Sequence, residues 1–162
     1  MSLVVASNTG PLIAFANSGL LHIPARLFDR ILVPEAVSVE IDAGSKISVR
    51  FKDIQKEMPQ IEIISGISVD PLLAGILDQG EASVIQLSVN FRPDLTLIDE
   101  RKGRKIAADI YRLKVIGTVG VLLLAKKHGI IPTISQSIEL IIKGGYYIHE
   151  KIVNAVLRNA GE

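Results

Sequence analysis

The sequence predicts an α/β fold, in which helices cover both faces of a parallel sheet built from short strands. Short aliphatic runs alternate with segments of helical periodicity, and short apolar strands are typical of parallel sheets that are buried on both faces. Because 48 % of the residues are apolar and only 4 % are aromatic, the core must consist mainly of aliphatic side chains. No repeat or long linker divides the 162 residues, so we expect a single domain over 1–162.

The N-terminal part of the chain predicts three strands with helices between them. The run Leu3–Ala6 is followed by turn-forming residues and by Pro11, which is favoured at the first position of a helix. Residues 45–60 carry apolar side chains at 47, 51, 54 and 58, and this spacing predicts a helix. The remaining elements predicted here are helical segments at Leu12–Ala16 and Leu20–Phe28, a strand at Ile31–Val33, a helix from Pro34 to about Ala43, and a strand at Ile61–Ile64.

In the C-terminal part of the chain, predicted strands and helices alternate in the same manner. The run Leu95–Ile98 is the clearest strand, and it ends at Asp99 and Glu100. The helix Val119–His128 has its basic residues at the C-terminal end, where they interact favourably with the helix dipole. The other predicted elements are helices at Asp70–Leu77, Gly80–Asn90 and Arg101–Leu113, a strand at Val115–Ile116, and C-terminal helices at Ile134–Lys143 and Glu150–Asn159, within about 133–160.

Three acids and one amide interrupt or follow apolar runs where a buried side chain is expected. Asn8 and Asp99 come just after strands, and ligands of open parallel sheets bind outside the carboxyl ends of the strands. Glu40 shares a helix face with Val37, and Glu81 precedes a buried stripe at the start of its helix. A buried carboxylate is costly unless it is paired, hydrogen-bonded or bound to a metal. Together, Asn8, Glu40, Glu81 and Asp99 therefore predict a divalent-cation site.

Each of these residues also has a purely structural explanation. Glu40 can reach water from the edge of its face, and Glu81 in a first helical turn favours the helix dipole. Asp99 suits a helix N-cap, and Asn8 suits a turn. The cation site is therefore predicted from their joint placement, and not from any one of them. Further candidates beside the site are Thr9, Glu100 and Thr118.

Charge and composition narrow the class of protein without naming a partner. The net charge is +1, but nine basic residues stand against four acids between Arg92 and His128. That stretch is compatible with a polyanionic partner, although a solvated helix surface is the commoner explanation. The absence of Cys excludes disulfides and thiolate metal sites, and it suits a reducing cytoplasm. The longest apolar stretch, Val115–Ala125, is shorter than the roughly 20 residues of a membrane span, so we expect a soluble, cytoplasmic protein.

Five segments, VVASNTGPLIAFA, ILVPEAVSVEI, GEASVIQLS, LTLIDERKGRKIA and VIGTVGVLLLAKKHGII, occur in this order along the chain. Together they resemble the toxin-like, VapC-type branch of PIN-domain proteins, and the resemblance covers about residues 3–160. It implies a three-layer α/β/α fold and a Mg²⁺- or Mn²⁺-dependent ribonuclease, often the toxin of a toxin–antitoxin pair. By position, the four acids of the family fall on Asn8, Glu40, Glu81 and Asp99. Since PIN enzymes usually have Asp at the first position, Asn8 is a departure that weakens the expected metal affinity.

The predicted function is therefore a metal-dependent ribonuclease in which Glu40, Glu81 and Asp99 are catalytic. Hard oxygen ligands favour Mg²⁺ or Mn²⁺ over zinc. The basic residues expected to hold RNA phosphates are Arg101, Lys102, Arg104 and Lys105.

Asn8 motivates the alternative, a PIN-like module that binds nucleic acid or protein without catalysis. A small-molecule hydrolase is less favoured, because the chain has no motif for a covalent nucleophile. The resemblance and the apolar composition also predict a homodimer, and the resemblance predicts a cognate antitoxin protein.

Overall fold

A computed structural model of the chain describes residues 2–44 and 49–162. Its strands are β1 (Val4–Ser7), β2 (Arg30–Pro34), β3 (Ile61–Ile64), β4 (Leu95–Leu97) and β5 (Val115–Ile116). They pair in parallel throughout, in the order β3-β2-β1-β4-β5. The helices are α1 (Thr9–Asn17), α2 (His22–Leu27), α3 (Glu35–Ala43), α4 (Phe51–Glu57), α5 (Pro71–Ile76), α6 (Gln79–Phe91), α7 (Arg101–Asp109), α8 (Thr118–Lys127), α9 (Ser135–Lys143) and α10 (Glu150–Asn159).

Alternate residues of the strands face two separate hydrophobic cores, because successive side chains of a strand point to opposite faces. Val5 of β1 and Ile31 of β2 belong to one core, with α1, α2, α8 and α9. Ala6 and Leu32, their neighbours in sequence, belong to the other core, with α5, α6 and α7. All four side chains are almost completely buried. The sheet is thus covered on both faces, and the predicted three-layer α/β/α fold is confirmed.

Most helix boundaries differ from the predicted ones by one or two residues, and three of the differences are in α1, α7 and α4. α1 begins at Thr9 and not at Pro11, because Asn8 has the extended backbone (φ −81°, ψ 175°) of a residue that precedes a helix. α7 ends at Asp109 and not at Leu113, because Arg112 adopts a left-handed φ of 58° that turns the chain towards β5. The helix predicted within residues 45–60 begins at Phe51, and its first apolar position, Ile47, lies outside the described residues.

The order of the strands places a crevice beside β1. The chain runs from β1 to β2 and β3 on one side of it, and then returns to β4 and β5 on the other side. A ligand crevice forms at such a switch point, outside the carboxyl ends of the strands. The Asn8 N–H donates a hydrogen bond of 3.0 Å to the carbonyl of Leu97. Asn8 and Asp99 therefore flank the crevice at the ends of two adjacent strands.

Among the helices of the described part of the chain, none combines the length and the apolar character needed to cross a membrane.

Candidate functional site

Four different elements bring the predicted cation ligands to the carboxyl edge of the sheet. Asn8 follows β1, Asp99 lies between β4 and α7, Glu40 belongs to α3, and Glu81 belongs to the first turn of α6. Gly80 shows how closely two of them approach. A Cβ at Gly80 would lie 2.7 Å from Glu40 Oε2 and 3.1 Å from Asn8 Oδ1. Asn8 and Glu40 therefore share a space that glycine leaves open and that alanine would fill.

An additional acid, Asp78, lies at the same place. Its Oδ1 would be 3.5 Å from the Cβ at Gly80, and it accepts a hydrogen bond of 2.8 Å from the Glu81 N–H. Asp78 is the N-cap of α6, so its position is determined by the helix start. The sequence analysis missed Asp78, although its position directly before the Gln-Gly-Glu start of α6 is an N-cap signal. The structure thus adds one carboxylate to the group around Gly80.

The carboxyl group of Glu81 is buried beside this group, with only 6 % of the residue exposed. Burial, and next the neighbouring carboxylate of Asp78, raise the pKa of Glu81 to about 8. The charges of Glu100 and Glu40 raise the pKa further. Its Oε2 faces Gly103 of α7, where a Cβ would collide with it. Without a cation, Glu81 therefore holds a proton at neutral pH.

Asp99 is held by Thr118 through both carboxylate oxygens. The Thr118 N–H donates to Oδ1 and the Thr118 hydroxyl donates to Oδ2, each at 2.7 Å. A Cβ at Gly117 would lie 2.7 Å from Asp99 Oδ1 and 3.0 Å from Arg104 Nη1. A Cβ at Gly10 would lie 3.3 Å from Asp99 Oδ2, and Gly10 is two residues beyond Asn8. Asp99 is therefore fixed in orientation, next to the Asn8 side of the crevice.

Tyr146, in the segment between α9 and α10, closes the site near Asp99. Burial, and next the charge of Asp99, raise the pKa of the Tyr146 phenol above its ordinary value. The phenol is therefore neutral over the physiological pH range. Tyr146 is not among the site residues predicted from the sequence, because nothing in its local sequence indicates that this segment returns to the ends of β4 and β5.

The three further candidates predicted beside the site, Thr9, Glu100 and Thr118, all lie close to it. The Thr9 hydroxyl donates a hydrogen bond of 2.7 Å to Glu40 Oε2, as Thr118 does to Asp99. Glu100 is exposed and close enough for its charge to raise the pKa of Glu81. Of the four predicted RNA-binding residues, Arg104 lies close to Asp99, and Arg101, Lys102 and Lys105 are exposed on α7.

The acids form two neighbouring groups and not one tight cluster. Over residues 2–44 and 49–162, no three His, Asp or Glu side chains converge closely enough to make a ready-formed metal cluster. Thr118 donates hydrogen bonds to both carboxylate oxygens of Asp99, whereas Thr9 donates one to Oε2 of Glu40. The group around Gly80 contains Asn8, Glu40, Asp78 and Glu81, and Asp99 lies beside it.

Two unpaired oxygen atoms, Asn8 Oδ1 at Gly80 and Glu81 Oε2 facing Gly103, indicate that this edge of the sheet fits a cation. Asn8 Oδ1 and Glu81 Oε2 are buried and have no hydrogen-bond partner among the described residues. Leaving such an atom unsatisfied costs about 1–3 kcal/mol, and native structures contain few of them. Carboxylate and amide oxygens are ligands of hard divalent cations. The residues present at this edge therefore fit a divalent metal ion.

A family model described as PIN domain matches residues 4–162. A search among proteins of curated function finds no match to the chain. Because the matched region covers nearly all of the sequence, the chain belongs to the PIN-domain family. Proteins of this family are generally nucleases, typically bind RNA or DNA, and typically use divalent metals.

Proposed function

From its membership of the PIN-domain family, we propose that this chain is a divalent-metal-dependent ribonuclease that hydrolyses RNA phosphodiester bonds. The observation that supports the proposal most strongly is the pair of buried, unpaired oxygen atoms on Asn8 and Glu81. They lie at the switch point of a parallel sheet, where ligands of such folds bind. An RNA substrate, and not DNA, is proposed because the sequence resembles the toxin-like branch of the family.

The ligands proposed for the metal are Asn8, Glu40, Glu81 and Asp99, and Asp78 supplies further negative charge at Gly80. Their hard oxygen atoms favour Mg²⁺ or Mn²⁺. When bound, the cation would supply Lewis acidity and lower the pKa of a coordinated water.

The protein's own groups prepare the site for this chemistry. Thr9 and Thr118 fix the orientation of Glu40 and Asp99 through hydrogen bonds of 2.7 Å, so little reorganisation is needed when substrate binds. Burial and the neighbouring carboxylates raise the pKa of Glu81 to about 8, and a bound cation would favour its ionised form. Arg104, close to Asp99, is positioned to bind a phosphate of the substrate. The exposed Arg101, Lys102 and Lys105 extend this positive surface along α7.

The biological role we propose is that of a cytoplasmic toxin, paired with an antitoxin protein and acting as a homodimeric, single-domain protein. This role follows from the resemblance to the toxin-like branch.

Cleavage of labelled RNA in the presence of Mn²⁺ or Mg²⁺ tests the proposed activity. Asp99→Asn and Glu81→Gln are expected to lower the cleavage rate at least about 100-fold, because each removes a charge from the site. Gly80→Ala is expected to lower the rate less, because its Cβ would lie 2.7 Å from Glu40 Oε2, the end of an exposed side chain that can shift. Gly75→Ala is the matched control, since a Cβ there has no atom within 4 Å. Cleavage that EDTA does not inhibit, or that Asp99→Asn leaves unchanged, would contradict the proposal.

A second candidate function is a nucleic-acid-binding module without catalysis. It is favoured by Asn8, which provides no charge, and by the lack of a three-acid cluster within the described ranges. Isothermal titration with Mn²⁺ separates the two functions. Binding at submillimolar concentration supports the nuclease, whereas no heat at millimolar Mn²⁺, together with retained RNA binding, supports the module.

A further inference from the structure

A groove of about 630 Å³ begins at Asp99 and continues along α10. We name it the C-terminal groove. Its polar and aromatic lining residues include Asp99, Arg104, Tyr146, Tyr147, His149 and Lys151. The volume is within the ~300–1,000 Å³ typical of small-molecule and cofactor sites, and the groove shares Asp99 with the candidate active site.

The groove combines an apolar floor with a cationic rim. Ile116, Val119 and Val156 supply its apolar lining. Arg104 and Lys151 also line it and are exposed, so they bring positive charge to the groove. An apolar floor for a base and a positive rim for its phosphate is the chemistry of a nucleotide site.

Tyr147 is the residue that indicates a base. It is 80 % exposed, more than any other large apolar side chain in the described part of the chain. Its neighbour Tyr146 lines the same groove and is partly buried near Asp99, which anchors the segment. On its other side, His149 caps α10, and its Nδ1 accepts a hydrogen bond of 3.1 Å from the Lys151 N–H. Tyr147 is therefore an exposed aromatic ring between the partly buried Tyr146 and the capped start of α10.

We infer that the C-terminal groove binds one nucleotide of single-stranded RNA, directly beside the phosphodiester that lies at Asp99. The base stacks on Tyr147, and its phosphate is bound by Arg104 and Lys151. A paired base already has both faces stacked, so this mode of binding requires an unpaired strand. The inference rests on the proposed function, because it names the form of RNA that reaches the same site.

Binding of a fluorescein-labelled single-stranded RNA hexamer to a Glu81→Gln background tests the inference without cleavage. Glu81 does not line the groove. Tyr147→Ala is expected to weaken binding by about 5- to 150-fold, the loss of one base–aromatic stack. Tyr147→Trp should retain affinity. Phe91→Ala is the control, because Phe91 is also exposed (52 %) but lies at the end of α6, outside the groove.

The salt dependence of binding tests the cationic rim. Lys151→Gln should lower the slope of log K against log salt by about 0.7, the value for one phosphate of a single strand. A hairpin without unpaired bases should bind more weakly, and Tyr147→Ala should not affect it. Equal effects of Tyr147→Ala on the hexamer and on the hairpin would overturn the inference.

Cleavage assays in which Tyr147→Ala is the only substitution separate this inference from the proposed function. If RNA is cleaved but Tyr147→Ala changes neither binding nor cleavage, the groove assignment fails and the nuclease stands. If Tyr147→Ala weakens binding of the hexamer but no variant cleaves, the groove assignment is supported and the nuclease fails. If the hexamer does not bind at all, the groove assignment is overturned.

Discussion

Asn8→Asp would place an acid at the first of the four predicted ligand positions, where the resemblance to PIN enzymes implies Asp. Asn8 is only 7 % exposed, and its Oδ1 has no hydrogen-bond partner among the described residues. The substitution preserves the shape of the side chain and adds a negative charge next to Glu40. We expect it to destabilise the metal-free protein and to increase the stabilisation by Mn²⁺.

The size of the expected destabilisation follows from the geometry around Gly80. Asn8 Oδ1 and Glu40 Oε2 lie 3.1 and 2.7 Å from one point, so they are no more than about 6 Å apart. Two unit charges at about 6 Å repel by about 3 kcal/mol at an effective dielectric constant of about 20. Because Glu40 is exposed, screening by solvent lowers this to about 1 kcal/mol. For a chain of this size, Tm should fall by about 2–4 °C for each kcal/mol.

Thermal unfolding in EDTA and in 1 mM Mn²⁺ measures both effects. In EDTA the variant should have the lower Tm. In Mn²⁺ its Tm should rise more than that of the wild type, since a tenfold gain in affinity is worth about 1.4 kcal/mol. Asn154→Asp, the same exchange at an exposed position on α10, is the control and should change neither value. Equal Tm in EDTA together with an equal Mn²⁺ shift would refute the placement of Asn8 beside a cation site.

Two further predictions concern the pH dependence of stability in EDTA. Glu81 has a folded-state pKa of about 8, above its ordinary value of 4.5, so the wild type should lose stability relative to Glu81→Gln as pH rises between these values. The advantage of the variant should grow to about 3–5 kcal/mol, at about 1.4 kcal/mol per pKa unit, and stay constant at higher pH. A pH-independent difference in Tm would be contrary to this. The ion pair with Lys126, together with the N–H groups of Ile134 and Ser135, lowers the pKa of Glu162 to about 2. Glu162→Gln should therefore lower Tm by its full amount above pH 4.5, and by progressively less towards pH 2. Glu139→Gln, at an exposed position of α9, is the control and should not lower Tm. A loss of Tm that persists at pH 2 would show that the charge of Glu162 is not its cause.

Most of the fold could be predicted from the sequence because its strands are short, apolar and bounded by turn residues. The strands at Ile61–Ile64 and Val115–Ile116 have the predicted bounds, and so does the helix Glu150–Asn159. The end of α7 was missed because the left-handed conformation of Arg112 is imposed by the entry into β5. An Arg at that position carries no local signal for such a turn.

The candidate site was predictable in part. Placing Asn8 and Asp99 at strand ends required only the apolar pattern and the rule that parallel strands share one carboxyl edge. Asp78 and Tyr146 were missed because their parts in the site depend on which elements pack beside them. The hydrogen bonds of Thr9 and Thr118 depend on the same packing, since each joins residues of two different elements.

By itself, the sequence determined the fold class and the residue types available for chemistry, because the alternation of apolar runs decides which side chains must be buried. Only the tertiary structure decided that Asn8 and Glu40 share the space at Gly80 while Asp99 is held apart by Thr118. These distances depend on how closely separate helices approach the sheet. That approach is controlled by glycines at 10, 80, 103 and 117, where a Cβ would come close to or collide with a carboxylate.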